Sequence, residues 1–190
     1  MNSMDNDREL RETPVASEKI FEGKIIDVER WTVRLPDGGE APREVVLHRG
    51  AAAVVAVDKD NFVTLVRQHR VVLDLMTLEI PAGKLDHVGE DPYDCAVREL
   101  EEETGLRAQS MRLLSHVVTT PGFCTETIGL YLATGLTQHE KHPDADEFLN
   151  VVKTPLSEAV ARVMRGELRD AKTALGLMMA WHALHSSESV

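Results

Sequence analysis

The sequence lacks the features that mark membrane, secreted and nucleic-acid-binding proteins. Its longest purely apolar run, residues 51–57, is far shorter than the roughly 20 residues of a membrane-spanning helix. The two cysteines, Cys95 and Cys124, show no metal-ligand or disulfide spacing, and residues 1–12 hold no apolar signal-peptide core. Lysine and arginine total 21 against 32 acidic residues, and this excess of negative charge disfavours binding to DNA or RNA. We therefore expect a cytoplasmic protein that binds neither a membrane nor nucleic acid.

The chain has enough apolar material for one ordinary domain. Its 190 residues are 43% hydrophobic and 28% charged, which is the balance of a globular protein with a proper core. The net charge is −11. An acidic protein can still bind an anionic polyphosphate if metal cations lie between the two partners. The negative charge therefore does not exclude a polyphosphate ligand.

Most predicted strands lie in the first two thirds of the chain. Residues 1–17 are expected to form a flexible tail. Residues 24–35 and 44–47 are β-rich and joined by a Pro-Asp-Gly-Gly turn, which predicts a hairpin. A second strand pair is predicted at 51–57 and 62–67, and the first of these is apolar throughout, as in a strand buried on both faces. Further short strands are predicted at residues 78–80, 111–119, 128–133 and 148–152.

Three helices are predicted from capping residues and from apolar residues at helical spacing. The first covers residues 92–104, with Asp91 as its N-cap and Gly105 closing its C-terminal end. A second begins near Ser157, and a third begins at Asp170. Together with the strands, these helices predict a mixed α/β protein.

The stretch at residues 83–106 carries the strongest chemical signal. Glu99 and Glu103 are four residues apart, so they share one helical face, with Glu102 at its edge. Like charges at this spacing destabilise a helix and call for a compensating cation. Carboxylate oxygens suit Mg²⁺, and Mn²⁺ is also suitable. Arg98 precedes Glu102 by four residues and is placed to orient its carboxylate.

An ordinary acidic, solvent-exposed helix is the alternative explanation of this charge run. It does not explain Gly83, Glu90 and Gly105 at their positions around the acids. With them, the segment resembles the Nudix box: glycine, five residues, glutamate, seven residues, then Arg-Glu-aliphatic-X-Glu-Glu-X-Gly-aliphatic. The match is complete from Glu90 to Leu106, whereas six residues rather than five separate Gly83 from Glu90. We expect the extra residue to alter the loop before the helix and to leave the metal-binding face intact.

The resemblance extends beyond the box, to the ADP-ribose pyrophosphatases among the Nudix hydrolases. The segments that share it are Val66–Arg70, Leu78–Asp86, Thr120–Phe123, Asp146–Phe148 and Asp170–Ala174. It implies an α/β Nudix fold, in which a mixed β-sheet is sandwiched between helices and follows an N-terminal antiparallel β-region. Accordingly, we expect this β-region at residues 18–50 and the Nudix hydrolase domain at residues 51–187. The resemblance also implies a homodimer that exchanges N-terminal strands.

The resemblance assigns the metal ions to four residues, with Mg²⁺ as the expected ion and Mn²⁺ as a substitute. Glu99 and Glu103 are expected to bind the ions directly. Glu102 and the backbone carbonyl of Ala82 are expected to assist them. Glu102 and Arg98 are also expected among the catalytic residues.

A further catalytic residue, the carboxylate that acts on the attacking water, is expected in a late loop. That loop contains Asp144, Asp146 and Glu147, and Glu147 aligns best with the subfamily. Acids in a polar loop are otherwise only solvated, which is the alternative explanation for all three.

The resemblance assigns the substrate to five residues. Arg70 and Glu79 are expected to line the site for the diphosphate and ribose, and the turn Pro121–Gly122 to present backbone groups. Arg43, just before a predicted strand, is expected to reach the ligand, including across a dimer interface. The alternatives are a surface ion pair between Arg70 and Glu79, worth little to stability, and a plain turn at Pro121–Gly122.

The implied reaction is metal-dependent hydrolysis of the pyrophosphate bond of ADP-ribose to AMP and ribose 5-phosphate. Two alternatives stay open. One is a Nudix pyrophosphatase that acts on another nucleoside diphosphate sugar, such as GDP-mannose. The other is a non-catalytic sensor of ADP-ribose, which is disfavoured because every box carboxylate is present and no basic helix-turn-helix segment follows.

Overall fold

A computed structural model describes residues 9–87, 89–141 and 148–186. These residues form ten strands and three helices. None of those helices has both the length and the apolar character that crossing a membrane requires. The chain divides into two compact units, of which the first comprises Met1–Arg49 with Val118–Glu126, and the second Gly50–Val117 with Thr127–Val190.

The first unit contains a three-stranded antiparallel sheet. Its strands are β1 (Thr13–Glu22), β2 (Ile26–Arg34) and β3 (Glu40–His48), and they lie in the order β1-β2-β3. In the turn between β2 and β3, Gly38 has a φ of 88°, in the left-handed region that favours glycine. The N–H of Gly39 donates to Asp37 Oδ1 at 2.9 Å. The predicted hairpin is confirmed.

Strand β1 differs from the sequence prediction for the N-terminus. The sequence predicts a flexible tail through residue 17, whereas residues 13–17 belong to β1 and pair with β2. All ten residues of β1 are exposed, so its sequence carries no pattern of buried apolar residues. Backbone hydrogen bonds to β2 hold the strand in place.

The segment Val118–Glu126 is a second difference, because the sequence places it within the domain at 51–187. Instead, it groups with the first unit. The N–H of Val46 in β3 donates to the Phe123 carbonyl at 2.7 Å, and the N–H of Thr125 donates to the Val46 carbonyl at 2.9 Å. These backbone bonds attach the segment to the end of β3.

The second unit is built on a seven-stranded mixed sheet. Its strands are β4 (Ala51–Val57), β5 (Phe62–Arg70), β6 (Leu75–Glu79), β7 (Ala82–Lys84), β8 (Leu106–Val118), β9 (Thr127–Gln138) and β10 (Leu149–Pro155). The order is β10-β5-β4-β9-β8, with β6 paired to β5 and β7 paired to β4. Strand β4 runs parallel to β9 and antiparallel to β5 and β7.

Helices cover both faces of this sheet. They are α1 (Pro92–Thr104), α2 (Leu156–Met164) and α3 (Ala171–His185). Val55 of β4 packs in one core cluster with Leu156 of α2 and Leu177 of α3, whereas its neighbour Val54 packs in another with Leu100 of α1. The apolar run of β4 is therefore buried on both faces, as its composition predicts. The expected fold, a mixed sheet between helices, is confirmed.

Candidate active site

Helix α1 carries the acidic residues, and the residues that the sequence assigns to its ends fix its limits. Asp91 Oδ1 accepts from the N–H of Tyr93 at 2.9 Å. Gly105 ends the helix with a φ of 70°, and its N–H donates to the Glu101 carbonyl at 2.7 Å. The face that includes Leu100 packs in the core with β4. The face beside it carries the carboxylates and lies against β7.

Strand β7 leaves room for Glu99 because residue 83 is a glycine. A β-carbon on Gly83 would lie 1.9 Å from Glu99 Oε1, far inside contact distance. The N–H of the preceding residue, Ala82, donates to Glu103 Oε2 at 3.1 Å. Glu99 is 7% exposed and Glu103 is 2% exposed. The structure thus brings three of the predicted metal residues together where α1 meets β7.

Arg98 connects the other acids of the box to this position. Its Nη1 donates to Glu99 Oε1 at 2.8 Å and to Glu102 Oε2 at 3.1 Å, and its Nη2 donates to Glu90 Oε1 at 3.4 Å. The bond to Glu102 is the orienting contact that the four-residue spacing predicts. Burial acts to lower the pKa of Arg98, but the charges of Glu99 and Asp86 and the bond to Glu102 raise it above its ordinary value. Arg98 therefore stays charged and holds these carboxylates in place.

The loop before α1 contains six residues between Gly83 and Glu90, one more than the box pattern has. Gly89 has a φ of 87°, again in the region that favours glycine. The N–H of Asp86 donates to Glu90 Oε2 at 2.5 Å, and the N–H of Glu90 donates to the His87 carbonyl at 3.3 Å. Glu90 still reaches Arg98. The described part of this loop thus includes a left-handed glycine, and Glu90 contacts Arg98 from the start of the helix.

The donor set of the box helix fits a hard divalent cation. Glu99, Glu102 and Glu103 offer only carboxylate oxygens, the ligands that Mg²⁺ and Mn²⁺ prefer in proteins. In the described ranges, no three acidic, histidine or cysteine side chains form a group that could hold an ion. Arg98 donates to Glu99 and Glu102, and the N–H of Ala82 donates to Glu103. The chemistry of these acids is therefore what fits a divalent ion.

A second cluster of charges surrounds Glu79 at the end of β6. Its carboxylate accepts two hydrogen bonds from Arg70 of β5, at 2.8 and 2.7 Å, and one from Thr77 Oγ1 at 2.7 Å. Lys172 of α3 donates to the same carboxylate. Only 2% of Glu79 is exposed, which contradicts the alternative of a simple surface ion pair. The structure brings the two predicted residues, Arg70 and Glu79, into one bidentate contact.

Glu79 is expected to make the stability of the fold depend on acid pH. Burial acts to raise the pKa of Glu79, but the bonds from Arg70 and the charge of Lys172 lower it from 4.5 to about 2. A carboxyl with a lower pKa in the folded state stabilises the fold above its unfolded pKa, and the stabilisation is lost as the pH falls towards the folded pKa. Over this window the loss amounts to about 3 kcal/mol.

Urea unfolding at several pH values measures this contribution. Between about pH 5 and pH 2, the free energy of unfolding of Glu79→Gln is expected to fall by about 3 kcal/mol less than that of the wild type. The same pH dependence in both proteins would contradict the lowered pKa of Glu79.

Arg43, the third predicted substrate residue with a charge, lies in the first unit. It is inside β3, opposite Trp31 of β2, rather than just before a strand. Its Nε donates to Glu12 Oε2 at 3.0 Å, and its Nη2 donates to the other oxygen of that carboxylate. Trp31 lines the same pocket as Arg43, and sequence reasoning gave it no role, although the turn at residues 36–39 fixes the hairpin register that places the two residues opposite each other.

The turn Pro121–Gly122 also belongs to the first unit. The Thr120 carbonyl accepts from the N–H groups of Phe123 and Cys124 at 3.1 and 2.9 Å, so Pro121–Gly122 forms a turn. The same residues line a pocket of about 310 Å³ together with Arg43. The structure therefore brings these three predicted substrate residues to one pocket.

Two further groups of residues bear on the predicted site. Asp144, Asp146 and Glu147 lie outside the residues that the structure describes. Lys172 and Asp170 belong to a segment that carries the family resemblance, but sequence reasoning gave them no role. Lys172 is 93 residues from Glu79, and a single sequence holds no signal for a pairing at that separation.

The fold and the acid-bearing helix define a mixed α/β protein with a buried carboxylate site, and two family models match the chain. The model described as "NUDIX domain" matches residues 46–175. The model described as "Nucleoside diphosphate sugar hydrolase N-terminal domain" matches residues 12–46, which contain most of the first unit's sheet. The chain belongs to the Nudix hydrolase family.

Individual relatives extend this result over nearly the whole chain. The "ADP-ribose pyrophosphatase" of Bacillus subtilis (strain 168) is 41% identical over 172 residues, which cover 90% of this chain and 92% of that protein. The "Methanol dehydrogenase activator" of Bacillus methanolicus is 40% identical over 170 residues, 88% of this chain and 91% of that protein. A solved structure described as "Crystal structure of ADP compounds hydrolase" has a TM-score of 0.79 and 23% identity, and the match covers 92% of this chain and 95% of that chain. The last similarity supports the fold.

Proposed function

We propose that this protein hydrolyses the pyrophosphate bond of ADP-ribose and releases AMP and ribose 5-phosphate. The observation that carries the proposal is the pair of buried carboxylates, Glu99 and Glu103, packed against Gly83 and Ala82 of β7. Similarity to an ADP-ribose pyrophosphatase over 90% of the chain supports the choice of substrate. Mg²⁺ is the proposed ion, with Mn²⁺ as a substitute. When bound, the ion neutralises charge on the diphosphate and acidifies the attacking water.

The residues of the second unit are assigned to binding the metal ion and the diphosphate. Glu99 and Glu103 hold the ion, assisted by Glu102 and the Ala82 carbonyl, and Arg98 keeps the carboxylates oriented. Arg70 offers its guanidinium to the diphosphate, because a planar fork of donors matches phosphate oxygens. Its hydrogen bonds to Glu79 raise the pKa of Arg70. Glu79 is three residues before Ala82, whose N–H donates to Glu103, and this closeness supports placing both clusters in one site.

The remaining assignments concern the late loop and the first unit. We propose that Glu147 acts on the attacking water. Asp144 and Asp146 are the alternative candidates for this role. Of the variants Glu147→Gln, Asp144→Asn and Asp146→Asn, the first is expected to lower kcat most, and a larger loss in another would reassign the role. Arg43 and the turn Pro121–Gly122 are proposed to bind the substrate, with Arg43 reaching it across a dimer interface, and the pocket of about 310 Å³ that they line has a size that suits a small ligand.

Product analysis tests the reaction. The protein is incubated with ADP-ribose and Mg²⁺, and the products are separated by ion-exchange chromatography. Equal amounts of AMP and ribose 5-phosphate are expected, and none when EDTA removes the divalent ion. ADP-ribose that is bound but not cleaved in Mg²⁺ buffer would contradict hydrolysis and favour the sensor alternative.

A second candidate is hydrolysis of a different nucleoside diphosphate sugar. The match of residues 12–46 to the N-terminal domain of nucleoside diphosphate sugar hydrolases favours that class without specifying the base or the sugar. Comparison of kcat/KM for ADP-ribose, GDP-mannose and other ADP-sugars separates the candidates. We expect the highest value for ADP-ribose, and a higher value for GDP-mannose would replace the proposed substrate.

We also propose that the protein is a homodimer in the cytoplasm. Strand β1 supports the dimer, because its apolar side chains Val15, Ile20 and Phe21 are 41%, 49% and 54% exposed and offer a surface to a partner. Sedimentation is expected to give twice the 21.1 kDa mass of the chain, and the mass of one chain would contradict the dimer. The free thiols of Cys95 and Cys124 support a reducing compartment.

A further inference from the structure

Helix α3 begins beside the Glu79 cluster and is bonded to it through its first turn. Asp170 is the N-cap of α3, and its Oδ2 accepts from the N–H of Thr173 at 3.0 Å and from Thr173 Oγ1 at 2.5 Å. Thr173 Oγ1 in turn accepts from the N–H of Ile80, the residue after Glu79, at 2.9 Å. Thr173 is fully buried. The start of α3 is thus fixed against the end of β6. Lys172 lies in this first turn, between Asp170 and Thr173 in the sequence.

Lys172 is the second cation on the Glu79 carboxylate. Its Nζ donates to Glu79 Oε2 and, at 3.0 Å, to Asp170 Oδ2. The side chain of Lys172 is 14% exposed, whereas that of Arg70 is 42% exposed. Arg70 therefore has an open side from which it can meet a ligand, and Lys172 acts from the protein side of the same carboxylate.

Arg70 is aligned by Glu79, so the orientation of Glu79 sets the orientation of Arg70. The Nε and Nη2 of Arg70 both donate to Glu79, which fixes the plane of the guanidinium. The carboxylate is in turn held by Thr77 on its own strand and by Lys172 on α3. Without Lys172, the carboxylate loses its only described cationic contact from α3 and gains freedom to rotate. A site supported by such surrounding bonds binds its ligand more tightly because less ordering is left to the moment of binding.

We propose that Lys172 is a positioning residue that holds Glu79 so that Arg70 points its guanidinium at the substrate diphosphate. The inference rests on the proposed function, in which Arg70 binds the diphosphate. Lys172 does not contact the substrate itself. Its removal is expected to weaken ground-state binding through Arg70 and to leave the chemical step largely intact.

Steady-state kinetics with ADP-ribose and Mg²⁺ test the consequence for binding. Lys172→Met keeps the aliphatic stem and removes the charge, and it is expected to raise KM about tenfold, the scale of one charged hydrogen bond, with little change in kcat. Lys172→Arg keeps a cation, and its KM is expected to be close to that of the wild type. The matched control is Lys153→Met, which breaks the Lys153–Asp58 ion pair elsewhere in the second unit and is expected to behave as the wild type.

Thermal unfolding, followed by circular dichroism, establishes that each variant is folded under the assay conditions. A KM for Lys172→Met equal to that of the wild type would overturn the proposal. So would a fall in kcat alone with unchanged KM, because positioning of a binding residue acts on substrate affinity.

A second readout needs no turnover and separates this proposal from the proposed function. In the ¹H–¹⁵N NMR spectrum, the Arg70 Nε–Hε signal is assigned by its absence in Arg70→Lys. This signal is expected in the wild type and in Lys172→Arg, and to be lost by exchange with water in Lys172→Met. An unchanged signal in Lys172→Met would overturn the positioning role. Absence of AMP with the wild type would refute the proposed reaction, and the NMR signal would still decide whether Lys172 orients Arg70.

Discussion

Replacing Glu103 by glutamine is expected to remove nearly all turnover of ADP-ribose while the protein stays folded. Glutamine has the shape of glutamate, and its side-chain oxygen can keep the hydrogen bond from the N–H of Ala82, which is 3.1 Å long. What it loses is the negative charge that binds a divalent ion. Because a bound metal supplies several kcal/mol of stabilisation to the transition state, kcat/KM is expected to fall about 10³-fold or more.

The matched control for Glu103→Gln is Glu101→Gln on the same helix. Glu101 pairs with Arg107 at 2.6 Å and is not among the residues assigned to the proposed metal site. This control is expected to keep wild-type turnover. The assay is made at saturating Mg²⁺, with thermal unfolding to establish that both variants are folded. Retained activity of Glu103→Gln under these conditions would refute the metal assignment.

Replacing Gly83 by alanine is expected to inactivate the enzyme through a steric clash rather than through the loss of a charge. The added β-carbon would lie 1.9 Å from Oε1 and 2.5 Å from Oε2 of Glu99. The carboxylate must therefore leave its position against β7. Since Glu99 is 7% exposed and packed between helix and strand, its displacement is expected to cost about 1–3 kcal/mol of unfolding free energy. Turnover is expected to fall to a level similar to that of Glu103→Gln.

A double-mutant cycle isolates the steric cause. In the background of Glu99→Ala the carboxylate is absent, so the alanine at position 83 has nothing to displace. Gly83→Ala is then expected to cost much less unfolding free energy than it does in the wild type, as measured by urea titration. An equal cost in both backgrounds would show that Glu99 is not what requires a glycine there.

Several features of the site follow from rules that act within a few residues. Asp91 and Gly105 fix the ends of α1 because a cap and a left-handed glycine satisfy backbone groups of the adjacent turn. Glu99 and Glu103 share a face because four residues make about one helical turn. The four-residue spacing likewise predicts the contact between Arg98 and Glu102. These features are legible in the sequence, and the structure has them.

Other features of the fold could not be predicted from local sequence. Strand β1 has ten exposed residues, so the periodic burial that signals a strand is missing from it. Strand β7 has three residues, which is too short for any period to appear. The segment Val118–Glu126 joins the first unit through backbone hydrogen bonds to Val46. Because nearly all residue types have the same backbone groups, such bonds cannot be predicted from the sequence.

By itself, the sequence determined the family, the acidic face of α1 and the double-sided burial of β4, because each depends on residue types at short, fixed spacings. The tertiary structure decided which distant residues meet. It placed Gly83 against Glu99, which gives the box glycine its physical reason. It also brought Lys172 into contact with Glu79, which is 93 residues away in the sequence. Closing a loop of that length costs little more than closing a shorter one, so sequence separation favours no particular partner, and the packing of the whole chain selects it.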